Sequence, residues 1–411
     1  MPEPKVRFKR DDGSSYPSWK EYAITDLFTK ISNKNKDGQN TNVITNSAEF
    51  GLIPQRDYFD KDIAVEGNTG NYTIIQTGDF VYNPRKSTYA PMGPFNCYRL
   101  ADDGIVSPLY SCLRPKGVLD SEYLLWYFQT DKWYGYVNDH GAQNGARHDR
   151  VGMTDKILMG IPVKAPCEEE QQKIADFLST VDEVISTSEA EVTNLEKQKK
   201  AVMKKIFSQE VRFRREDGSD SPEWEEARFG DTVTIERGGS PRPIENYITE
   251  DDGLNWVKIG DAPKYGNYIT STAQRIIPEG LRKTRQVFVG DLILSNSMSF
   301  GKPYIMGIDG CIHDGWLLIR NDQELYDLMY LCFLLGSDYM LKQYKSLAGG
   351  SAVNNLNKDL VAGTTVFIPC LEEQRLIADF LSSFDEAIAA AKKELELWKE
   401  LKKGLLQQMF V

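Results

Sequence analysis

Residues 166–179 read Pro166-Cys167-Glu168-Glu169-Glu170-Gln171-Gln172-Lys173-Ile174-Ala175-Asp176-Phe177-Leu178-Ser179, and residues 369–382 read Pro369-Cys370-Leu371-Glu372-Glu373-Gln374-Arg375-Leu376-Ile377-Ala378-Asp379-Phe380-Leu381-Ser382. At this constant offset of 203 positions, 11 of 14 residues are identical. A long fixed period settles the architecture before any local reading can. The apolar positions that follow step by four and three: Ile174, Leu178, Val181, Ile185, then Val192, Leu195, Val202 and Ile206. The second copy repeats the steps with Ile377, Leu381, Phe384, Ile388, Leu395, Leu405 and Met409. A 3.5-residue period is the seam of a coiled coil, so each stretch is predicted to be a long helix that packs on a partner helix. Lys199 and Lys402 interrupt the two seams at equivalent places. They either restrict the register or carry their charge outward past the seam.

The partner of each helix is expected to be the other copy. Both begin acidic (Glu168 to Glu170; Glu372, Glu373) and end basic (Lys199, Lys200, Lys204, Lys205; Lys399, Lys402, Lys403), as the macrodipole favours. Antiparallel pairing sets each acidic start beside the other's basic end. Each helix of about 40 residues is roughly 60 Å long, whereas the domain between them is only about 40 Å across. Such a domain joins neighbouring helix ends more easily than distant ones.

The repeat extends beyond the helices. Val6-Arg7-Phe8-Lys9-Arg10-Asp11-Asp12-Gly13-Ser14, followed by Pro17 and Trp19, returns as Val211-Arg212-Phe213-Arg214-Arg215-Glu216-Asp217-Gly218-Ser219 with Pro222 and Trp224. These polar segments read as linkers. Between linker and helix lie two domains that differ in sequence but share an order of elements. Gly78-Asp79-Phe80-Val81-Tyr82 matches Gly290-Asp291-Leu292-Ile293-Leu294, and each is followed by a polar loop, a strand near Gly104 or Gly310, and an apolar helix. The expected fold class is α+β, a pseudo-twofold internal repeat of two similar globular domains separated by two long helices packed as an antiparallel coiled coil. The boundaries are 1–165 for the first domain with its N-terminal linker, 166–208 for the first helix, 209–221 for the linker, 222–368 for the second domain and 369–411 for the second helix.

Composition bounds the function. A chain of 411 residues with 41% apolar residues, 20 Tyr, 18 Phe and 7 Trp can build two or three cores. No apolar window approaches membrane length, no leader-like N-terminus is present, and six scattered cysteines without a CxxC pattern fit a reduced, cytoplasmic protein. A net charge of −11 speaks against a simple basic nucleic-acid-binding domain, though binding through local patches needs only a positive contact surface.

A half made of a variable domain and a shared helix, used twice, resembles the specificity subunit of type I restriction-modification enzymes. The carrying residues are the Pro-Cys-x-Glu-Glu-Gln…Ile-Ala-Asp-Phe-Leu-Ser openings and the Gly-Asp strands at 78–82 and 290–294. The resemblance implies that each variable domain is a target recognition domain for one half of a bipartite double-stranded DNA target. It also implies that the helices set the spacing and help dock two modification (methyltransferase) subunits, with restriction (motor-nuclease) subunits joining the full complex. S-adenosylmethionine would then sit on the modification subunit, and this chain would need no cofactor of its own. Two domains related by an antiparallel pair match the twofold symmetry of a duplex.

Candidate DNA contacts are loop residues able to donate or accept in a groove or to meet a phosphate. In the first domain they are Asn83, Arg85, Lys86 and Tyr89, then Asn144, Arg147 and Arg150. In the second they are Arg282, Lys283 and Arg285, then Asn296, Ser297 and Lys302, and finally Asn354 in a glycine-rich loop. The bland alternatives are solvated turns and salt-bridged surface. Catalytic residues and metal ligands are expected to be absent. There is no GxxxxGK[ST] run, and the three histidines (His140, His148, His313) have no zinc spacing. Asn83-Pro84 begins like the Asn-Pro-Pro-aromatic motif of amino-methyltransferases, but Arg85 and Lys86 replace the rest. Asp251 and Asp252 ahead of Val257-Lys258 loosely mimic a nuclease site. Two rivals stand beside the DNA-reading subunit: a protein-protein spacer without DNA readout, and a self-sufficient enzyme.

Overall fold

The heptad steps form the helices they predict. In the computed structural model, which describes residues 3–58, 69–141, 149–215, 217–296, 300–347 and 356–411, a 40-residue helix spans Glu168–Phe207 and a 39-residue helix spans Leu371–Met409. Ile174, Leu178, Val181, Ile185, Ile377, Leu381, Ile388 and Leu395 are buried, while Leu195 and Phe384 are half-buried.

The chain forms two compact units, Met1–Thr187 with Leu395–Val411, and Ser188–Glu394. Both boundaries fall inside the long helices, so each unit holds the start of one helix beside the end of the other. That is the antiparallel arrangement. In the first unit, Met409 and Phe410 join Ile174, Ala175 and Leu178 in the domain core, and Phe410 lies 5.4 Å from the Tyr123 ring. In the second, Ile206 and Phe207 join Ile377, Ala378 and Leu381, and Phe207 lies 6.0 Å from Tyr330. Each domain core is therefore completed by both helices. The seam lysines make cross-helix ion pairs, Lys402 with Asp182 and Lys199 with Asp385 (2.5 Å), and each ammonium also covers an aromatic ring, Trp126 at 4.8 Å and Phe333 at 4.7 Å.

Two expectations need refining. The acidic first turns lie beside the other helix's end, as expected, but the charges they bind are arginines of the polar segments. Glu170 takes Arg7 (3.1 and 2.7 Å) and Glu373 takes Arg212 (3.0 and 2.9 Å), with both carboxylates fully buried. Nor are those segments plain linkers. Each folds as a small hairpin with bridges Lys9 to Ser15 and Arg214 to Asp220, turned by Gly13 and Gly218 at φ +82° and +80°, a conformation costly for other residues. Phe8 against Phe177 (5.7 Å) and Phe213 against Phe380 (5.5 Å) hold each hairpin to its helix.

The first domain carries two four-stranded sheets. One runs in the order Phe28–Lys30, Ser111–Pro115, Phe80–Tyr82, Phe95–Cys97 and is antiparallel; the other runs Gly51–Pro54, Val43–Ser47, Gly104–Val106, Thr73–Ile75, with one parallel pair. The second domain repeats this plan with five strands per sheet: Thr234–Arg237, Trp316–Arg320, Leu292–Ser295, Pro303–Met306, Tyr268–Ile269, and Ile248–Thr249, Arg275–Ile276, Leu254–Val257, Gly310–Ile312, Arg285–Val287. In each domain a first and a last strand pair antiparallel, Lys20–Ala23 with Pro162–Ala165 and Glu225–Arg228 with Thr365–Ile368, so the chain leaves the domain where it entered.

The invariant polar residues of the repeat now have a mechanical explanation. Gln171 accepts from the Asp120 N–H (2.9 Å) and donates to the Pro166 carbonyl (2.9 Å); Gln374 does the same with Asp327 (2.7 Å) and Pro369 (2.8 Å). Asp120 and Asp327 in turn cap the apolar helices Ser121–Phe128 and Leu328–Leu335. Buried amides that are satisfied this way lock the start of each long helix to its domain.

Candidate nucleic-acid interface

The repeated Gly-Asp step builds the base of the loops. Asp79 accepts from the Gln76 N–H (2.7 Å) and from Arg114 (2.8 Å), and Asp291 accepts from the Phe288 N–H (2.9 Å) and from Arg320 (3.3 Å). Each aspartate thus ties the turn before its strand to the neighbouring strand, and the loops that follow, from Asn83 and from Asn296, leave from equivalent places.

In the first domain, the loop after Asn83 is backed by the segment at Arg150. Arg85 and Arg150 form a β-bridge, the Lys86 N–H donates to the Asp149 carbonyl (2.9 Å) and the Val151 N–H to the Pro84 carbonyl (2.8 Å). Arg85, Lys86 and Tyr89 are exposed, Tyr89 by 73%, and Arg150 is half-exposed beside them. Four of the expected contacts are therefore brought onto one surface loop pair. Asn83 is not among the exposed groups. It is buried, donates to the Asn46 carbonyl (3.2 Å) and accepts from the Arg85 N–H (3.0 Å). Asn46, also buried, donates to the Val81 carbonyl (2.7 Å) and accepts from Asn96 (2.7 Å). Asn83 therefore sits in an asparagine network under the loop, and its amide is used within the protein.

In the second domain, Arg282 and Lys283 are exposed at the end of the turn Pro278–Lys283. Arg285 is committed elsewhere: it pairs with Glu236 (3.0 Å), which also pairs with Arg320 (3.4 Å). Asn296 is buried and donates to the Asp314 carbonyl (2.8 Å), so it too shapes the loop from beneath. Lys302 is exposed, with its ammonium 5.0 Å from the Tyr304 ring. Asn144, Arg147, Ser297 and Asn354 lie outside the described residues.

Sequence reasoning passed over a polar cluster that connects these parts. Ser240 donates to Asp314 (2.7 Å), His313 Nε2 lies 2.9 Å from the same carboxylate, and Arg242 stands 3.9 Å away. Lys283 donates to the Arg242 carbonyl (3.4 Å), which links the basic turn to the cluster. The approach depends on Gly238 and Gly239: a Cβ on either would fall 2.2 Å from a backbone oxygen, of His313 and of Lys283 respectively. The Gly315 N–H donates to His313 Nδ1 (2.9 Å), which turns Nε2 toward Asp314. Burial, aided by Arg242 and Lys258, lowers the His313 pKa against the pull of Asp314. Burial would raise the Asp314 carboxyl, but the Ser240 hydrogen bond, His313 and Arg242 together hold it below the ordinary value. A run of Gly-Gly-Ser was the one visible sign of this cluster in the sequence.

Among the described residues, no three His, Cys, Asp or Glu side chains converge to hold a metal ion, and no helix is long and apolar enough to cross a membrane. Asp252 is exposed and 3.8 Å from Arg275, while Lys258 donates to Gln274 (2.8 Å).

The type I specificity subunit MjaVIII of Methanocaldococcus jannaschii is 27% identical over 322 residues, which cover 75% of this chain and 73% of that protein. Among solved structures, a chain from a study of complex assembly and conformational transition in a type I R-M system has a TM-score of 0.62 at 18% identity, over 96% of this chain and 98% of that one. The type I restriction-modification S subunit from M. genitalium has a TM-score of 0.53 at 14% identity, over 100% and 99%. Both show a shared fold. The model of the type I restriction modification DNA specificity domain matches residues 17–197 and again 222–397. With two copies that take up most of its length, the chain belongs to the family of type I restriction modification DNA specificity proteins.

Proposed function

We propose that this chain is the recognition subunit of a type I restriction-modification complex, in which each globular domain reads one half of an asymmetric, bipartite double-stranded DNA target. The observation that carries the reading is a division of labour inside each half. The Arg–Glu and Gln clamps that fix a domain to the long helices recur residue for residue, while the exposed loops differ: Arg85, Lys86, Tyr89 and Arg150 in one domain, Arg242, Arg282, Lys283 and Lys302 in the other. Equal mounts with unequal faces suit two unlike half-sites. Arginines and lysines on such loops supply phosphate contacts and, where a bidentate approach is possible, guanine readout.

The helices act as the ruler between half-sites, and their exposed faces dock two modification subunits. S-adenosylmethionine belongs to those partners, motor-nuclease subunits complete the assembly, and this chain recognises without catalysing. It works in the cytoplasm. The test is to exchange residues 222–365 for the matching part of a relative with a different target and to read the methylated sites of the reconstituted complex. One half of the recognised sequence should change and the other should stay. A change in both halves overturns modular reading, and a complex with no sequence preference before or after exchange would make the chain a protein-protein spacer.

A further inference from the structure

The second unit contains a cavity of about 410 Å³ whose lining includes Lys199, Lys200, Lys204, Lys264, Lys302 and Lys392. These lysines come from the end of the first long helix, the middle of the second, and the segments at Lys264 and Lys302. The carboxylates of the lining are Glu196, Asp338 and Asp385. Each is already matched: Lys199 to Asp385 at 2.5 Å, Lys200 to Asp338 at 3.4 Å and Lys392 to Glu196 at 2.6 Å. Lys204 and Lys302 stand in the lining beyond those three pairs, in a chain whose net charge is −11.

The ammonium groups are also held in position. Lys264 and Lys392 both stand 5.0 Å from the Tyr265 ring, Lys302 stands 5.0 Å from Tyr304 and Lys199 stands 4.7 Å from Phe333. Aromatic faces attract cations and keep them from swinging into bulk solvent. The repeat does not demand this arrangement. At the constant offset, Lys204 corresponds to Gln407 and Lys392 to Glu189, so the first half carries neither charge. Among the described residues no arginine lines the cavity. Lysines are compact point charges with rotatable donors, and they bind phosphate oxygens in that way. The volume lies within the range of small-ligand pockets, larger than a single inorganic phosphate fills.

We propose that this cavity binds a phosphate-bearing anion with two or more phosphate groups, through Lys204 and Lys302. The same chemistry is offered by a free polyphosphate and by successive phosphates of a nucleic-acid backbone. The site does not depend on how the target sequence is read.

The test titrates inorganic triphosphate into the full-length chain by calorimetry. The double variant Lys204→Ala/Lys302→Ala should bind at least tenfold more weakly, whereas Lys197→Ala, an exposed charge on the same helix outside the lining, should bind as the unaltered chain does. Equal affinity in all three proteins overturns the proposal. A duplex of arbitrary sequence that displaces triphosphate identifies the backbone as the source; triphosphate binding untouched by duplex identifies a free polyphosphate. As a check that needs no variant, triphosphate should protect Lys204 and Lys302 from acetylation and leave Lys197 reactive, and uniform labelling with and without the anion would also refute the site. Failure here leaves the domain-exchange result standing, and the reverse holds too.

Discussion

The two halves differ least where each domain is fastened to the long helices and most at the loops that each domain carries. Arg7 with Glu170 and Arg212 with Glu373 are the same ion pair built twice, and Gln171 and Gln374 make the same two hydrogen bonds to a capped helix and a proline carbonyl. The faces above them share a scaffold and almost no chemistry: an asparagine network under a cationic loop in one domain, a Ser-His-Asp-Arg cluster in the other. Buried polar groups tolerate little change because an unpaired partner is costly, whereas exposed loops can be exchanged as long as their stems hold. The difference teaches which residues hold the reading heads and which do the reading.

The largest effect should come from breaking the buried pair. Arg7→Ala strands a buried carboxylate and is expected to destabilise the first unit by about 3–5 kcal/mol. Arg212→Ala should cost about 1–2 kcal/mol less, because hydrogen bonds from Trp224 Nε1 (3.0 Å) and the Phe213 N–H (3.3 Å) still reach Glu373, while Trp19 Nε1 has no partner among the described residues. Denaturant unfolding resolved by hydrogen exchange in each unit measures both, and equal losses would show that the extra bonds contribute nothing. Next come the glutamines. Gln171→Ala and Gln374→Ala should each cost about 1–3 kcal/mol by leaving a buried N–H and a carbonyl unpaired. Gln374 should cost more, because it also donates to the Leu325 carbonyl (2.9 Å).

The smallest effect separates the faces. The His313 pKa lies below its ordinary 6.5, so the folded second unit binds fewer protons there than the unfolded chain does. That contribution to stability is present above pH 6.5 and is lost as pH falls below it. Melting of the second unit should therefore weaken between neutral and mildly acidic pH, and His313→Asn should flatten that part of the profile. A profile unchanged by the substitution would remove His313 from the account.

Much of this was legible in the sequence, for a physical reason. A heptad seam is a one-dimensional pattern, and a duplicated one announces itself by its offset, so both helices could be read from Ile174 to Met409, while their direction came from the charges at their ends and the size of the domain between them. Strands with repeated Gly-Asp steps could be matched in the same way. The charge argument reached the right direction through the wrong partners, because Arg7 and Arg212 are distant in sequence from the glutamates they bind and look like ordinary linker charges. Asn83 and Asn296 were read as groove contacts from residue type alone. Their burial depends on which backbone oxygens lie beneath the loop, which no local pattern encodes. His313, Ser240 and Arg242 were missed because two segments distant in sequence bring them together, and the six lysines of the cavity are just as scattered.

The first unit is built from Met1–Thr187 and Leu395–Val411, and its core includes Met409 and Phe410. On the ribosome, the closing helical turns of that core emerge last. At ordinary elongation rates the intervening stretch takes about 10–40 s to synthesise. During that interval the nascent first domain exposes the apolar floor that Phe410 later covers, while the second domain completes itself around Ile206 and Phe207 as it appears. The earlier-made half is thus the later to mature, and chaperone dependence during translation should fall on it.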